Sequence, residues 1–309
     1  MTQQRGPNIA ASMRQRLLNK ARETGRPFNE LLQYFAMERF LYRLAKSAHA
    51  DKFVLKGALM LVAWQAPVTR PTMDIDLLGI TDNSVDAIVA ITREICSWEV
   101  DADGLVFESD SVGGERILED ADYGGVRIRF RGTRGTARVA MQLDIGFGDV
   151  VVPKPEMTDY PTILSLPIPR LRGYSRESAV AEKFEAMVKL GALNSRVKDF
   201  FDIWLLSRHF DFAGETMALA MKRTFAIRGT TISGEPIALT GDFAKEAARQ
   251  IQWQGFVRMN RLQKVPASFA EIVASIAVFL GPIARALASC EEFQGSWKAP
   301  GPWDWSSSG

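Results

Sequence analysis

Two aspartates, Asp74 and Asp76, stand two residues apart in the otherwise apolar run Asp74-Ile75-Asp76-Leu77-Leu78. Alternate side chains of an extended chain share a face, so a strand here puts both carboxylates on one side. Two like charges held together repel unless a cation lies between them. A hard divalent ion such as Mg2+ takes such oxygen ligands together with phosphate oxygens and water. A third carboxylate, Asp144, sits in a second alternating run, Val139-Ala140-Met141-Gln142-Leu143-Asp144-Ile145. On a neighbouring strand it would complete a site for two ions, in which one activates an attacking oxygen and the other stabilises a leaving pyrophosphate. An Asp-x-Asp pair alone is common on the wet face of an edge strand. The order around it is far more specific: a strand at 52–55, Gly57 opening a short helix through Trp64, a loop at 67–72, a strand at 74–79, a helix at 83–98 and the strand bearing Asp144. A glycine turn leading into a helix offers free backbone N–H groups to a triphosphate.

The elements that would position these residues can be read from hydrophobic spacing. Asn8 is expected to cap a helix to Thr24, broken by Gly25 and Pro27, and a second helix runs from Asn29 to Ala48 on Leu31, Phe35, Phe40, Leu41 and Leu44. Tyr123 to Arg131 alternates, with Val126, Ile128 and Phe130 on one side and Arg127, Arg129 and Arg131 on the other, and Gly132–Gly135 reads as a hairpin turn into the strand of Asp144. If both apolar sets face the core, Asp144 shares its face with the arginines. Arg127, Arg129, Arg131, Arg134 and Arg138 form the conspicuous basic cluster, which is either the solvated face of a hairpin or an RNA backbone contact. From Ser175 helices are expected at 175–191, 196–209, 214–226, 241–254 and 267–289. The proline-rich stretch from Pro153 to Pro169 reads as a linker, and the tail from Gly295 as disordered.

Composition narrows the function classes. The chain has 309 residues, 47% hydrophobic and 24% charged, with a net charge of only +2, so any nucleic-acid contact must be local. Cys96 and Cys290 have no Cys-x-x-Cys spacing and, with two histidines, argue against a disulfide framework or a structural zinc. No signal-peptide pattern follows Met1, and the apolar run Ile272 to Leu280 is shorter than a bilayer span, so a cytoplasmic location without a membrane partner is expected. Gly-x-Ser-x-Gly, Walker A and His-Glu-x-x-His patterns are all missing, Cys96 lies among apolar neighbours, and His209 ends a helix where a cation is favoured without catalysis.

Several blocks together resemble the AbiEii/AbiGii-type toxins, nucleotidyltransferase-like proteins of bacterial toxin–antitoxin and phage-defence systems. They are Glu38-Arg39-Phe40-Leu41-Tyr42-Arg43-Leu44, Phe53-Val54-Leu55-Lys56-Gly57-Ala58, Arg70-Pro71-Thr72-Met73-Asp74-Ile75-Asp76-Leu77-Leu78, Ala181-Glu182-Lys183-Phe184-Glu185-Ala186 and Arg196-Val197-Lys198-Asp199-Phe200-Phe201-Asp202. The resemblance covers residues 30 to 285. It implies an α/β (α+β) fold: N-terminal helices at 1–50, a polymerase-β-like nucleotidyltransferase core at 51–160, a helical domain at 161–294 and a disordered tail at 295–309.

The same resemblance implies nucleotide contacts by Lys56, Gly57, Ala58, Thr72 and Lys183, metal at Asp74 and Asp76, and at Asp144 either metal or activation of the acceptor hydroxyl. Lys183 at a helix start can also act physically as a point charge on phosphate. Asp199 would be a further active-site acid, near Lys183 if their helices pack antiparallel; the alternative is a surface ion pair worth little. Asp202 is expected only to cap or pair, and Arg70 either to touch phosphate or to be an ordinary loop residue. The family's turn usually carries Gly-Gly or Gly-Ser, and Ala58 would add a methyl where phosphate approaches the backbone. The implied activity is Mg2+-dependent transfer from a nucleoside triphosphate to the 3′ end of tRNA, blocking translation, with a cognate antitoxin. Transfer to a protein hydroxyl, or nucleotide binding without transfer, are the alternatives.

Overall fold

The computed structural model describes residues 6–67, 70–119, 123–135 and 137–305. They divide into two compact units. The first takes the chain up to Trp64, Thr72–Gly148 and Glu156–Gly173; the second takes Gln65–Pro71, Asp149–Pro155 and the chain from Tyr174.

The first unit contains α1 (Gly6–Thr24), α2 (Phe28–Lys46), β1 (Phe53–Lys56), α3 (Ala58–Ala63), β2 (Ile75–Gly79), α4 (Val85–Cys96), β3 (Val106–Glu119), β4 (Tyr123–Arg134), β5 (Ala137–Phe147), β6 (Glu156–Asp159) and β7 (Arg170–Gly173). Its strands form one mixed sheet ordered β3-β4-β5-β2-β1-β7-β6. β2 runs parallel to β5 and antiparallel to β1. α1 starts at Gly6 rather than after Asn8, since Pro7 suits the first helical turn. The β4–β5 strands run on to Arg134 and resume at Ala137, so the turn is shorter than expected, and Thr136 lies outside the described residues. The proline-rich stretch is not a plain linker: β6 fits between Pro155 and Pro161, and β7 begins directly after Pro169. Proline there brackets short strands without removing a ladder N–H from inside them.

α2 is buried continuously from Leu31 to Leu44, charged residues included. Such a helix is stable only if each buried polar group finds a partner. Arg43 forms a bidentate pair with Asp103 at 2.7 and 3.1 Å and donates to the Leu105 carbonyl. Arg39 donates to the Pro167 carbonyl, and Glu38 accepts from the Ile163 N–H. Burial outweighs that bond and the nearby Arg39, and pushes the Glu38 carboxyl up to about 7. A native pKa above the unfolded one means the folded state binds the extra proton, so this group's contribution falls as pH rises from about 4.5 to 7. Glu38→Gln is therefore expected to flatten the stability profile: urea unfolding should show the variant gaining on the parent between pH 5 and 8, by up to roughly 3 kcal/mol.

The second unit contains α5 (Arg176–Leu190), α6 (Val197–His209), β8 (Phe212–Ala213), α7 (Gly214–Ile227), α8 (Gly241–Lys245), α9 (Ala247–Met259), α10 (Phe269–Ala288), β9 (Ser296–Trp297) and β10 (Trp303–Asp304). The expected single helix at 241–254 is split, because Glu246 leaves helical geometry at ψ 125°. α10 is long and apolar enough by length and composition to cross a membrane, more than the run Ile272 to Leu280 suggested. Its Ile272, Ile276, Phe279, Leu280 and Ile283 are fully buried, the pattern of a core helix. The tail from Gly295 is not disordered as far as residue 305: β8, β9 and β10 form a small antiparallel sheet, with Trp297 and Trp303 buried. The remaining residues, 306–309, lie outside the described ones. Cys96 and Cys290 are both free, and burial pushes the Cys96 thiol up to about 12, so it is no nucleophile at neutral pH.

Candidate active site

Strand register places the acidic residues. In the parallel β2–β5 pair, Asp76 lies directly opposite Asp144. In the antiparallel β1–β2 pair, Asp76 lies opposite Lys56. Asp74 immediately precedes β2, two residues from Asp76, and both are partly exposed while Ile75 and Leu77 are buried. Lys56, Asp76 and Asp144 therefore occupy adjacent positions across three strands, on the side away from that core.

Gly57 follows β1 with φ 71° and ψ −153°, a conformation that L side chains rarely adopt. A Cβ added there would stand 1.9 Å from the Asp76 carboxylate oxygen Oδ2. Only glycine leaves room for that carboxylate. Ala58, by contrast, is buried at the start of α3. Its methyl does not stand at a surface a phosphate could approach, so the substitution in the Gly-Gly or Gly-Ser pair does not obstruct the turn as the sequence suggested.

Gln33 and Tyr34, which no motif or spacing marks, hold the segment before β2. Gln33 donates from one amide nitrogen to the Met73 carbonyl at 3.2 Å and the Ala140 carbonyl at 3.0 Å. The Tyr34 hydroxyl accepts from the Thr72 N–H at 3.1 Å. Adjacent residues of a buried helix thus pin Thr72 and Met73, and with them Asp74. Beside Asp74 opens a depression of about 460 Å³, lined among others by Gln33, Met73, Ser111, Arg129, Arg131 and Gln142.

The β4–β5 pairing is the one that puts both apolar sets in the core: Val126 faces Ile145, Ile128 faces Leu143 and Phe130 faces Met141. Arg127 stands opposite Asp144 and Arg129 opposite Gln142, so Asp144 does share its face with the arginines. They do not form a free basic patch. Arg127 chelates Asp144 with two bonds of 2.7 Å, Arg129 pairs with Glu115 at 2.6 Å and Arg131 with Glu108 at 2.8 Å. Arg134 is buried, donating to the Ala10 carbonyl, and Arg138 is exposed. Cross-strand ion pairing on a hairpin face accounts for three of the five.

Lys183 and Asp199 meet in the second unit, where α5 packs on α6. The Lys183 ammonium lies 3.0 Å from Asp199 and 2.9 Å from Asp202, and both aspartates are buried. Arg70 chelates Asp202 at 2.9 and 3.0 Å, and Arg196 stands 2.7 Å from Asp199 without hydrogen-bond alignment. Burial opposes ionisation of Asp202, but Arg70 and Lys183 outweigh it and hold its pKa down at about 2. Burial likewise disfavours the Lys183 ammonium, and the two aspartates more than compensate, so its pKa is raised. Lys183, Arg70 and Arg196 thus surround the two buried carboxylates, with the Lys183 side chain 17% exposed. This is a coupled network rather than a surface ion pair, and Asp202 is as deeply engaged in it as Asp199. A separate group, Arg228 with Asp149, Glu182 and Glu185, ties α7 to α5.

The family model of the nucleotidyl transferase AbiEii toxin, type IV toxin–antitoxin system, matches residues 39–275. The chain belongs to the AbiEii family. No curated protein matches it. The structure is similar to JHP933 from Helicobacter pylori, at 15% identity, 82% of this chain, 89% of that one and a TM-score of 0.43. It is also similar to an H. pylori protein assigned as a nucleotidyltransferase, at 15% identity, 82% and 92% coverage and a TM-score of 0.40. At that level neither likeness carries an argument about the site.

The AbiEii chain is thus a nucleotidyltransferase of a toxin–antitoxin system, with a nucleoside triphosphate as substrate and an antitoxin as partner. Such enzymes typically also use a divalent metal. Asp74, Asp76 and Asp144 supply the hard oxygen donors such an ion takes. As the side chains stand, no three acidic, histidine or cysteine groups converge to hold one among the described residues, and both Asp144 oxygens are held by Arg127.

Proposed function

We propose that this AbiEii protein transfers a nucleotide from a nucleoside triphosphate to the 3′ end of tRNA in the cytoplasm, so blocking translation, with Mg2+ held by Asp74, Asp76 and Asp144. The observation that carries the reading is the β2–β5 register, which sets Asp76 beside Asp144 next to an open depression bordered by Asp74. A bound divalent ion would activate the acceptor oxygen and offset charge on the departing pyrophosphate. The chain's own groups do the rest. Lys56, opposite Asp76, and the backbone at Gly57 receive phosphate oxygens. Thr72, fixed by Tyr34, keeps the rim beside Asp74 in place. Lys183, kept charged by Asp199 and Asp202, neutralises the triphosphate. The depression beside Asp74, with Arg129, Arg131 and Gln142 in its wall, is suited to the end of a polynucleotide, because exposed arginine pairs readily exchange their carboxylates for phosphates. The tRNA acceptor and the role in phage defence rest on the family resemblance.

The test is incubation of the protein with each labelled nucleoside triphosphate, total tRNA and cell protein. Label is expected at tRNA 3′ ends, dependent on Mg2+. Label in protein alone would overturn the tRNA acceptor and favour a protein hydroxyl. Binding of nucleotide with no label in either would leave a nucleotide-binding protein without transfer.

A further inference from the structure

We infer that Arg127 is a placeholder for the metal ion: its guanidinium holds the two carboxylate oxygens that Asp144 would give to the ion, and it must release them before Asp144 can ligate. This rests on the reading of Asp74, Asp76 and Asp144 as the metal site.

The contact is built in by register. Arg127 and Asp144 are directly opposite each other on β4 and β5, and two bonds of 2.7 Å join Nε to Oδ1 and a terminal nitrogen to Oδ2. Paired forks of this kind are the strongest of the charge-assisted hydrogen bonds. The side chains are 30% and 10% exposed, so water screens the pair only in part. Gln142 adds a long bond to the same carboxylate, at 3.4 Å. On its other flank Arg127 faces Glu115, but that carboxylate is already bonded to Arg129. On this face Arg127 is joined to a site carboxylate, whereas Arg129 and Arg131 are joined to Glu115 and Glu108, which lie outside the site.

The arrangement solves a folding problem. Strand pairing sets Asp144 against Asp76, where like charges repel; Lys56 faces Asp76 from β1, and Arg127 faces Asp144 from β4. A guanidinium tethered on the next strand offsets that repulsion at Asp144. The consequence is competition: ion affinity is reduced by the fraction of molecules in which Arg127 holds Asp144. Entry of the ion is coupled to rotation of one arginine, which afterwards remains beside the site as a cation.

Mn2+ binding followed by the electron paramagnetic resonance of the free ion tests this without nucleotide or turnover. Arg127→Met is expected to bind Mn2+ about tenfold more tightly than the parent, and Arg127→Lys, with one donor point instead of a fork, by an intermediate factor. The gain should vanish in Arg127→Met combined with Asp144→Asn, and Arg138→Met, an exposed arginine outside the depression, should leave Mn2+ affinity unchanged. If Asp74→Asn weakens Mn2+ binding and neither Arg127 variant tightens it, the placeholder role is overturned while the metal site stands. If Asp74→Asn and Asp144→Asn both bind as the parent does, or none binds, the metal site falls and this inference with it. Should Arg127→Met fail to fold, Arg127→Lys carries the same test.

Discussion

Asp76→Asn is expected to lower nucleotide transfer by roughly three orders of magnitude, because a carboxylate holding the proposed ion would contribute several kcal/mol of transition-state stabilisation. The position is exacting. Asp76 faces Lys56 on one side and Asp144 on the other, and its Oδ2 fills the space that the missing Gly57 side chain leaves. Asparagine keeps the shape, so packing against Gly57 survives and thermal unfolding should move by no more than about 1 kcal/mol. What it loses is the negative charge and the second hard ligand oxygen. Measured transfer to tRNA, growth inhibition on expression and the melting temperature together separate the two roles. Loss of the first two with an unchanged third is the expected result. Full activity in Asp76→Asn would end the reading of this site as metal-dependent. Asp159→Asn, exposed on the edge strand β6 of the same sheet, is the matched control and should retain activity.

The strand pairing around the candidate site was legible where the pattern was periodic. Alternation over Tyr123 to Arg131 and over Val139 to Ile145 admits one pairing with both apolar sets inward, and that pairing is the one found. A one-residue slip would have moved Val126, Ile128 and Phe130 into water. The proximity of Lys183 and Asp199 likewise followed from two helices with short sequence between them. What could not be read were contacts without a local signal. Gln33 reaches Ala140 across 107 residues, and nothing in the helical pattern around it marks a side chain that will hold the loop before β2. The arginine row read equally well as a nucleic-acid contact, because sequence shows the cations and leaves the opposing Glu108 and Glu115 unassigned until register is known. Asp202 read as a minor partner because its depth, beneath Arg70 and Lys183, depends on packing of separate segments. Proline misled in the other direction. Between Pro153 and Pro169 and again beyond Gly295, its density suggested loose chain, yet short strands lie at and just beyond these stretches.

The second of those stretches yields the largest expected effect on stability: Trp297→Ala should destabilise the second unit by about 3–5 kcal/mol. Trp297 is 2% exposed and its indole N–H donates to the Ser207 carbonyl at 2.7 Å. Its ring lies 4.7 Å from that of Phe279 on α10 and 5.4 Å from that of Trp303. Trp303 in turn donates to the Phe279 carbonyl and meets Phe293 edge-on. Gly301 has φ 89°, and a Cβ there would stand 2.3 Å from the Trp297 ring, so the turn between β9 and β10 is shaped around this side chain. Alanine removes the ring contacts, leaves the Ser207 carbonyl short of a donor and opens a cavity beside α10 that the small sheet cannot close. Trp305, 56% exposed, is the internal contrast, and its replacement by alanine should cost less than about 1 kcal/mol. Urea unfolding gives the two values, and limited proteolysis locates the damage: cleavage after residue 288 is expected to accelerate in Trp297→Ala and to stay slow in Trp305→Ala. Equal resistance in both would mean that α10 is held by its other contacts, and that the sheet of β8, β9 and β10 merely rests on it.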